Sequence, residues 1–226
     1  MEERAMGELE TVELETGANP QAAVIWLHGL GADAHDFEPV VPMLDLGPGR
    51  PVRYIFPNAP RRPVTINGGM VMRAWYDILS MDRAAQEDEA GIGVSAAAVE
   101  NLIVHEVSRG IDSRRIVVAG FSQGGAIALF TGLRHAARLA GVLALSTYLP
   151  LADFVGDEAS PANAGLPIFM AHGNADDVVP INFARNSRQK LFQMGYDVRW
   201  MEYSMPHAVI PEEIEDIRKF LLQVLD

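Results

Sequence analysis

The sequence predicts an α/β protein in which a mainly parallel sheet carries helices on both faces, within a single domain spanning residues 1–226. Three observations lead there. Short β-rich runs alternate with helix-like stretches along the chain, the order of a wound parallel sheet. Most of those runs are apolar throughout, as strands covered on both faces are. The length, 226 residues, suits one domain with a sizeable core.

In chain order, the expected strands are Val12–Glu15, Ala23–Leu27, Val52–Phe56, Ile116–Ala119, Gly141–Leu145, Ile168–Ala171 and Val198–Tyr203. Helices are expected at Ser95–Ser108, Gln123–Leu133, Asn182–Met194 and Glu212–Leu225, where apolar residues recur at helical spacing. Pro211 stands at the start of the last helix, where a missing N–H costs nothing. Two stretches, Asn58–Gly93 and Pro150–Pro167, are rich in Pro, Gly and charge. They read as elaborated loops of the kind that shape sites on open α/β sheets.

Composition removes several function classes. Hydrophobic residues make up 49% and charged residues 21%, as in an ordinary globular protein. No apolar run is long enough to span a bilayer, and stable membrane insertion is not expected. The segment Met1–Glu8 is acidic and lacks a hydrophobic stretch behind a basic start, which argues against a secretory signal and for the cytoplasm. The chain has no cysteine, which excludes disulfides and thiolate chemistry. A net charge of −12 repels phosphate backbones, so nucleic acid is not an expected partner.

The most informative segment runs from Ile116 to Ala126: strand, then Gly120-Phe121-Ser122-Gln123-Gly124, then helix. A serine on so sharp a turn needs small neighbours two residues to either side, and glycine supplies them. The turn lifts Ser122 Oγ above the sheet at a helix N-terminus, which favours developing negative charge. A serine serving only as helix N-cap would explain Ser122 but neither flanking glycine.

A nucleophilic serine needs a base, and the base needs an acid to hold its tautomer. On a strand–Gly-x-Ser-x-Gly–helix unit the chain order is Ser, Asp or Glu, His. His28, His35 and His105 precede Ser122. His135 sits on a basic stretch and reads as surface, and His172 has no acid at a strand end between it and the nucleophile. His207 remains, in the loop after the last strand. The acid is expected after the preceding strand, in His172-Gly173-Asn174-Ala175-Asp176-Asp177-Val178-Val179-Pro180. Asp176 is favoured, because Val178, Val179 and Pro180 would wall it from water; Asp177 is the alternative.

Acyl transfer also needs backbone N–H donors for a tetrahedral oxyanion. One is expected from Gln123, after the nucleophile. The other is expected from Leu30, where Ala23–Leu27 runs into His28-Gly29-Leu30-Gly31. No Gly-Lys-Ser/Thr follows, so this is not a phosphate loop.

At this point the chain resembles the small α/β-hydrolases of the carboxylesterase, lysophospholipase and acyl-protein thioesterase family. The resemblance rests on Leu27–Asp33, Pro57–Pro60, Pro63–Gly69, Met72–Ile78, Ala119–Ala126, Leu145–Pro150, His172–Pro180 and Met205–His207. It implies the α/β-hydrolase fold, the triad Ser122, Asp176 and His207, and the oxyanion donors Leu30 and Gln123. It also implies an acyl groove lined near Leu30, Trp75, Tyr148 and Val179, though Trp75 and Tyr148 also read as core aromatics. Members acting on protein S-acyl groups often carry tryptophan where Tyr148 stands, which points to the bacterial carboxylesterase branch.

The expected activity is hydrolysis of carboxylic esters through an acyl-enzyme, with acyl-protein thioesterase or lysophospholipase as the alternative. No metal or cofactor is implied. The compact length leaves little room for a separate cap domain, so an open groove taking short to medium acyl chains of small soluble substrates is expected. A non-catalytic binding module would require loss of a triad member. A metal hydrolase would have to use Asp82, Glu87, Asp88 and Glu89, a run better read as a solvated loop. A homodimer is compatible with an exposed apolar groove.

Overall fold

A computed structural model describes residues 9–80 and 87–226. The N-terminal segment read for targeting, and Asp82 of the acidic run, lie outside the described residues.

The central sheet has seven strands: β1 (Thr11–Glu15), β2 (Ala22–Leu27), β3 (Val52–Pro57), β6 (Ile116–Phe121), β7 (Gly141–Leu145), β8 (Ile168–Gly173) and β9 (Val198–Tyr203). Their spatial order is β1-β3-β2-β6-β7-β8-β9. Only β1 is antiparallel, paired with β3; every other neighbour is parallel. All residues of β2, β3, β7 and β8 are buried, which is why those runs show no polar alternation.

Alternate strand residues feed two cores. Ala23, Ile25 and Leu27 face one side with Ile92, Val99 and Ile103 of α1 (Glu89–Ser108), Ala126 to Leu129 of α2 (Gln123–Arg134) and Leu191 of α4 (Ile181–Gln193). Ala22, Val24 and Trp26 face the other side, against Val41 and Leu44 and against Ile214, Ile217 and Phe220 of α5 (Pro211–Val224). Helices therefore cover both faces, and among the described residues no large cap stands over the sheet. This is the α/β-hydrolase fold.

The two stretches read as loops hold more order than their composition suggests. Asn58–Gly93 contains an antiparallel hairpin, β4 (Arg61–Val64) and β5 (Met70–Arg73), outside the central sheet. The helix expected from Ser95 begins at Glu89, because Asp88 caps it by accepting the Gly91 N–H at 2.9 Å. Pro150–Pro167 contains the short helix α3 (Val155–Glu158). Among the described residues no helix is long and apolar enough to cross a membrane.

Strand order reverses across β2 and β6: the chain passes from β2 to β3 on one side and continues from β6 through β9 on the other. The carboxyl ends of β2 and β6 thus open a crevice at a topological switch point, the usual ligand position on such sheets.

Candidate active site

Ser122 stands at the end of β6, with φ 54° and ψ −121°. That is a left-handed conformation rarely adopted by a residue with a side chain, and it marks strain held by its surroundings. The surroundings are specific. Ser122 N–H donates to Leu145 O at 2.8 Å, and Thr147 Oγ1 donates to Ser122 O at 2.6 Å. The glycines make the turn fit. A Cβ on Gly120 would stand 2.3 Å from the Gly124 carbonyl carbon, and one on Gly124 would stand 2.4 Å from Leu27 O. The second contact ties the start of α2 against the end of β2.

Asp176 follows β8 with its carboxylate fully buried, whereas Asp177 is exposed. Its Oδ2 lies 2.6 Å from His207 Nδ1. Its Oδ1 accepts the backbone N–H groups of Val178 and Val179, at 2.9 and 2.8 Å. The loop bearing His207 crosses the end of β8 at Gly173, where a Cβ would sit 2.3 Å from Met205 O. The imidazole packs on Phe121, the residue before Ser122, with ring centroids 4.7 Å apart.

Leu30 and Gln123 both line the pocket that holds Ser122. Among the described residues neither backbone N–H has a hydrogen-bond acceptor within the chain, so both are available to a ligand oxygen. The Gln123 side chain is occupied: Oε1 accepts from Trp75 N at 2.8 Å, and Nε2 donates to Tyr76 O at 2.7 Å.

The pocket is about 310 Å³, with walls from Leu30, Tyr76, Tyr148, Leu149, Val179 and Phe183. Trp75, expected in that wall, is not there. It is fully buried beneath the site, where its indole N–H finds an acceptor in His28 O at 2.9 Å. Burying an indole needs such a partner. Ser95 Oγ donates to the Trp75 carbonyl, which fixes the segment from the other side. Tyr76 takes the wall position instead, its hydroxyl 2.9 Å from that of Tyr148.

Two further histidines are buried in structural contacts, and one of them departs from its sequence reading. His135 is buried rather than on the surface, with Nδ1 2.6 Å from Glu100 Oε2. His172, set aside for catalysis, has Nε2 2.7 Å from Val179 O and 3.3 Å from Asp176 Oδ2. Burial lowers its pKa, so the ring is neutral and Nε2 carries the proton that Val179 O accepts.

The acidic run near the pocket is largely committed to the backbone. Asp88 caps α1 and accepts Asp77 N–H at 2.8 Å; Glu87 accepts Leu151 N–H at 2.8 Å. Among the described residues no group of three or more potential ligands comes together around a metal site.

Comparison with known proteins identifies the family of the chain. The pattern of the Phospholipase/Carboxylesterase family (Abhydrolase_2) matches residues 9–225. Acyl-protein thioesterase 1 of Mycosarcoma maydis is 41% identical over 225 residues, covering 93% of this chain and 94% of that protein. Acyl-protein thioesterase 1 of Neurospora crassa is 42% identical over 222 residues, covering 92% and 89%. The crystal structure of Zea mays acyl-protein thioesterase 2 superposes with a TM-score of 0.85 at 31% identity, over 96% of this chain and 99% of that one. The chain belongs to the Phospholipase/Carboxylesterase family.

Proposed function

We propose that the protein is a serine hydrolase that cleaves acyl thioesters, and carboxylic esters of similar acyl chains, through an acyl-enzyme on Ser122. The observation that carries this reading is the meeting of three features at one crevice. Ser122 stands on a strained turn at a helix N-terminus, the Asp176–His207 pair packs against the neighbouring Phe121, and Leu30 and Gln123, whose backbone N–H groups have no acceptor among the described residues, line the same pocket.

Nδ1 of His207 faces Asp176, which leaves Nε2 to take the Ser122 proton. Ser122 Oγ attacks the acyl carbon, and the resulting oxyanion accepts from Leu30 N–H and Gln123 N–H. The C–S or C–O bond then breaks, and the leaving thiolate or alkoxide takes the proton from His207. Water, deprotonated by the same imidazole, attacks the acyl-enzyme and releases the carboxylic acid and free Ser122.

The relatives' names favour a thioester leaving group over the plain carboxylesterase reading. Departure of a thiolate needs less proton assistance than departure of an alkoxide, so the same groups serve both. The pocket of about 310 Å³ lies near the small end for ligand sites and supports short to medium acyl chains. The substrate would be a small acyl compound or an S-acyl cysteine in a peptide. The cytoplasm remains the expected compartment, and a homodimer is compatible with the exposed pocket mouth.

The test is a fluorophosphonate probe followed by matched chain-length series of p-nitrophenyl esters and S-acyl cysteine peptides, beside Ser122→Ala. Labelling and both hydrolyses should vanish in the variant, with kcat/KM on the thioester above that on the ester of the same chain. A wild-type protein that does not label would overturn the reading.

A further inference from the structure

The buried histidine at the end of β2 does nothing in the reaction described above, yet its contacts converge on the loop that reaction needs. His28 is 2% exposed. Its Nδ1 lies 2.7 Å from Gly29 O, and its Nε2 accepts the Ala59 N–H at 3.0 Å. Its own carbonyl accepts the Trp75 indole N–H at 2.9 Å.

These partners fix the tautomer. A carbonyl only accepts, so Nδ1 must donate to Gly29 O. An amide N–H only donates, so Nε2 must be bare. Burial lowers the pKa of His28, with the nearby Arg73 cation a smaller contribution in the same direction, and this keeps the ring in that neutral form.

We infer that His28 is a positioning residue for the oxyanion hole, acting by holding the Gly29–Leu30 peptide plane through Gly29 O. The inference rests on the acyl-transfer reading of the site. The peptide group is planar, and no cis peptide bond occurs among the described residues. In a trans peptide the Gly29 C=O and the Leu30 N–H point in opposite directions. Gripping the carbonyl on the protein side therefore turns the Leu30 N–H outward, to the pocket that Leu30 and Ser122 share.

The loop lies directly against the nucleophile. A Cβ built on Gly29 would sit 3.5 Å from Ser122 Cβ and 3.2 Å from the Phe121 ring. The far side of the loop is braced as well: Gly31 N–H donates to Arg73 O at 2.9 Å, and Arg73 Nη1 donates to Ala59 O at 3.0 Å. His28 is thus held by Ala59 on one ring nitrogen and holds Gly29 with the other. Without that grip the glycine on either side of Leu30 lets the peptide plane rotate, and the N–H loses its aim.

The two ring nitrogens can be separated by substitution. In His28→Asn the amide group stands near the Nδ1 position and keeps a donor for Gly29 O. In His28→Gln it stands near Nε2, where it retains a partner for Ala59 N–H but not the grip on Gly29. Both leave a polar, buried side chain, so a general cost to the fold falls on both. Loss of one oxyanion donor costs about 10²–10³ in kcat. His28→Gln should lose about that much in kcat with KM unchanged within about twofold, and His28→Asn should recover at least tenfold of it.

A second readout uses inhibitors of the full-length protein. An alkyl boronic acid, which forms a tetrahedral oxyanion mimic on the serine, should bind His28→Gln at least thirtyfold more weakly than wild type. The corresponding carboxylic acid product should bind both equally. Equal kcat losses in Asn and Gln variants, or equal weakening of boronate and product, would overturn the positioning role. Those outcomes leave Ser122 labelling intact, whereas failure of the acyl-transfer reading itself appears as an unlabelled wild type.

Discussion

Nδ1 of His207 lies 2.6 Å from Oδ2 of Asp176, and the other oxygen of that carboxylate accepts two backbone N–H groups from the turn that follows it. The acid is therefore held by its own loop before it holds the histidine. Asp177, one residue on, points to solvent.

This separates the two carboxylates by experiment. Asp176→Asn keeps the shape but offers an amide where an acceptor is needed, and inverts the tautomer that the imidazole prefers. It should lower kcat by about 10³–10⁴-fold, the scale seen when a triad acid is lost. Asp177→Asn should change kcat by less than about threefold. Steady-state kinetics on a soluble ester checks both; comparable losses would place the acid elsewhere.

The glycines of the turn give a prediction about stability. A methyl at Gly124 meets backbone oxygens of Leu27 and His28 at 2.4 and 2.5 Å, and backbone cannot rotate aside as a side chain can. Gly124→Ala should destabilise by about 1–3 kcal/mol or more, read from denaturant unfolding. Gly93, within α1, has nothing within 4 Å of a built Cβ. There Gly93→Ala should stabilise by about 0.5–1 kcal/mol, since alanine is the better helix former. A milder effect at Gly124 than at Gly93 would contradict the close approach.

These cases show where sequence was readable and where it was not. Chain order and motif spacing single out Ser122, Asp176 and His207, and the fold places them after the carboxyl ends of β6, β8 and β9. Strand runs such as Ala22–Leu27 are legible because both faces are buried and the apolar pattern is continuous. Arg61–Val64 is not, because four residues containing a proline and two arginines carry no strand pattern. The first turn and a half of α1 is hidden by Gly91 and Gly93, which weaken helix propensity; yet a Cβ at Gly91 would meet the capping carboxylate of Asp88. Trp75 shows a different limit. Its neighbourhood is readable, but which way the indole points is decided by the acceptor at His28 O. The dipeptides His28-Gly29 and His172-Gly173 each place a buried histidine at a strand end, but what each ring holds, Gly29 O or Val179 O, is set by the folded loops and carries no sequence pattern.

His172 gives the next prediction. Its Nε2–H serves Val179 O and faces Asp176 Oδ2, while Nδ1 is buried with no partner among the described residues. A glutamine supplies a donor near Nε2 and removes the orphaned nitrogen. His172→Gln should keep kcat within about tenfold of wild type. His172→Leu leaves Val179 O without its donor, and an unsatisfied buried acceptor costs about 1–3 kcal/mol. It should lower the unfolding free energy by that amount and lower kcat below that of the glutamine variant. If leucine matches glutamine in both, the contact to Val179 carries no weight.

The last prediction concerns Glu213, on the first turn of α5 behind the His207 loop. It is fully buried, and among the described residues neither carboxylate oxygen has a hydrogen-bond partner. Burial pushes its pKa up to about 8 from an ordinary 4.5, with the backbone of Ile210 a smaller opposing influence. The folded protein thus holds a proton that the unfolded chain releases at lower pH. The stabilising contribution is complete below about pH 4.5 and is lost as pH rises to about 8. Across that window one proton corresponds to about 1.4 kcal/mol per pH unit at most. Glu213→Gln removes the titration while keeping the shape. Unfolding free energies of the two proteins should agree near pH 4.5 and diverge as pH rises. At pH 8.5 the variant should be the more stable by on the order of 2–5 kcal/mol. Parallel stability curves would mean that the carboxyl ionises at the same pH in folded and unfolded chains, and that its burial is relieved on ionisation.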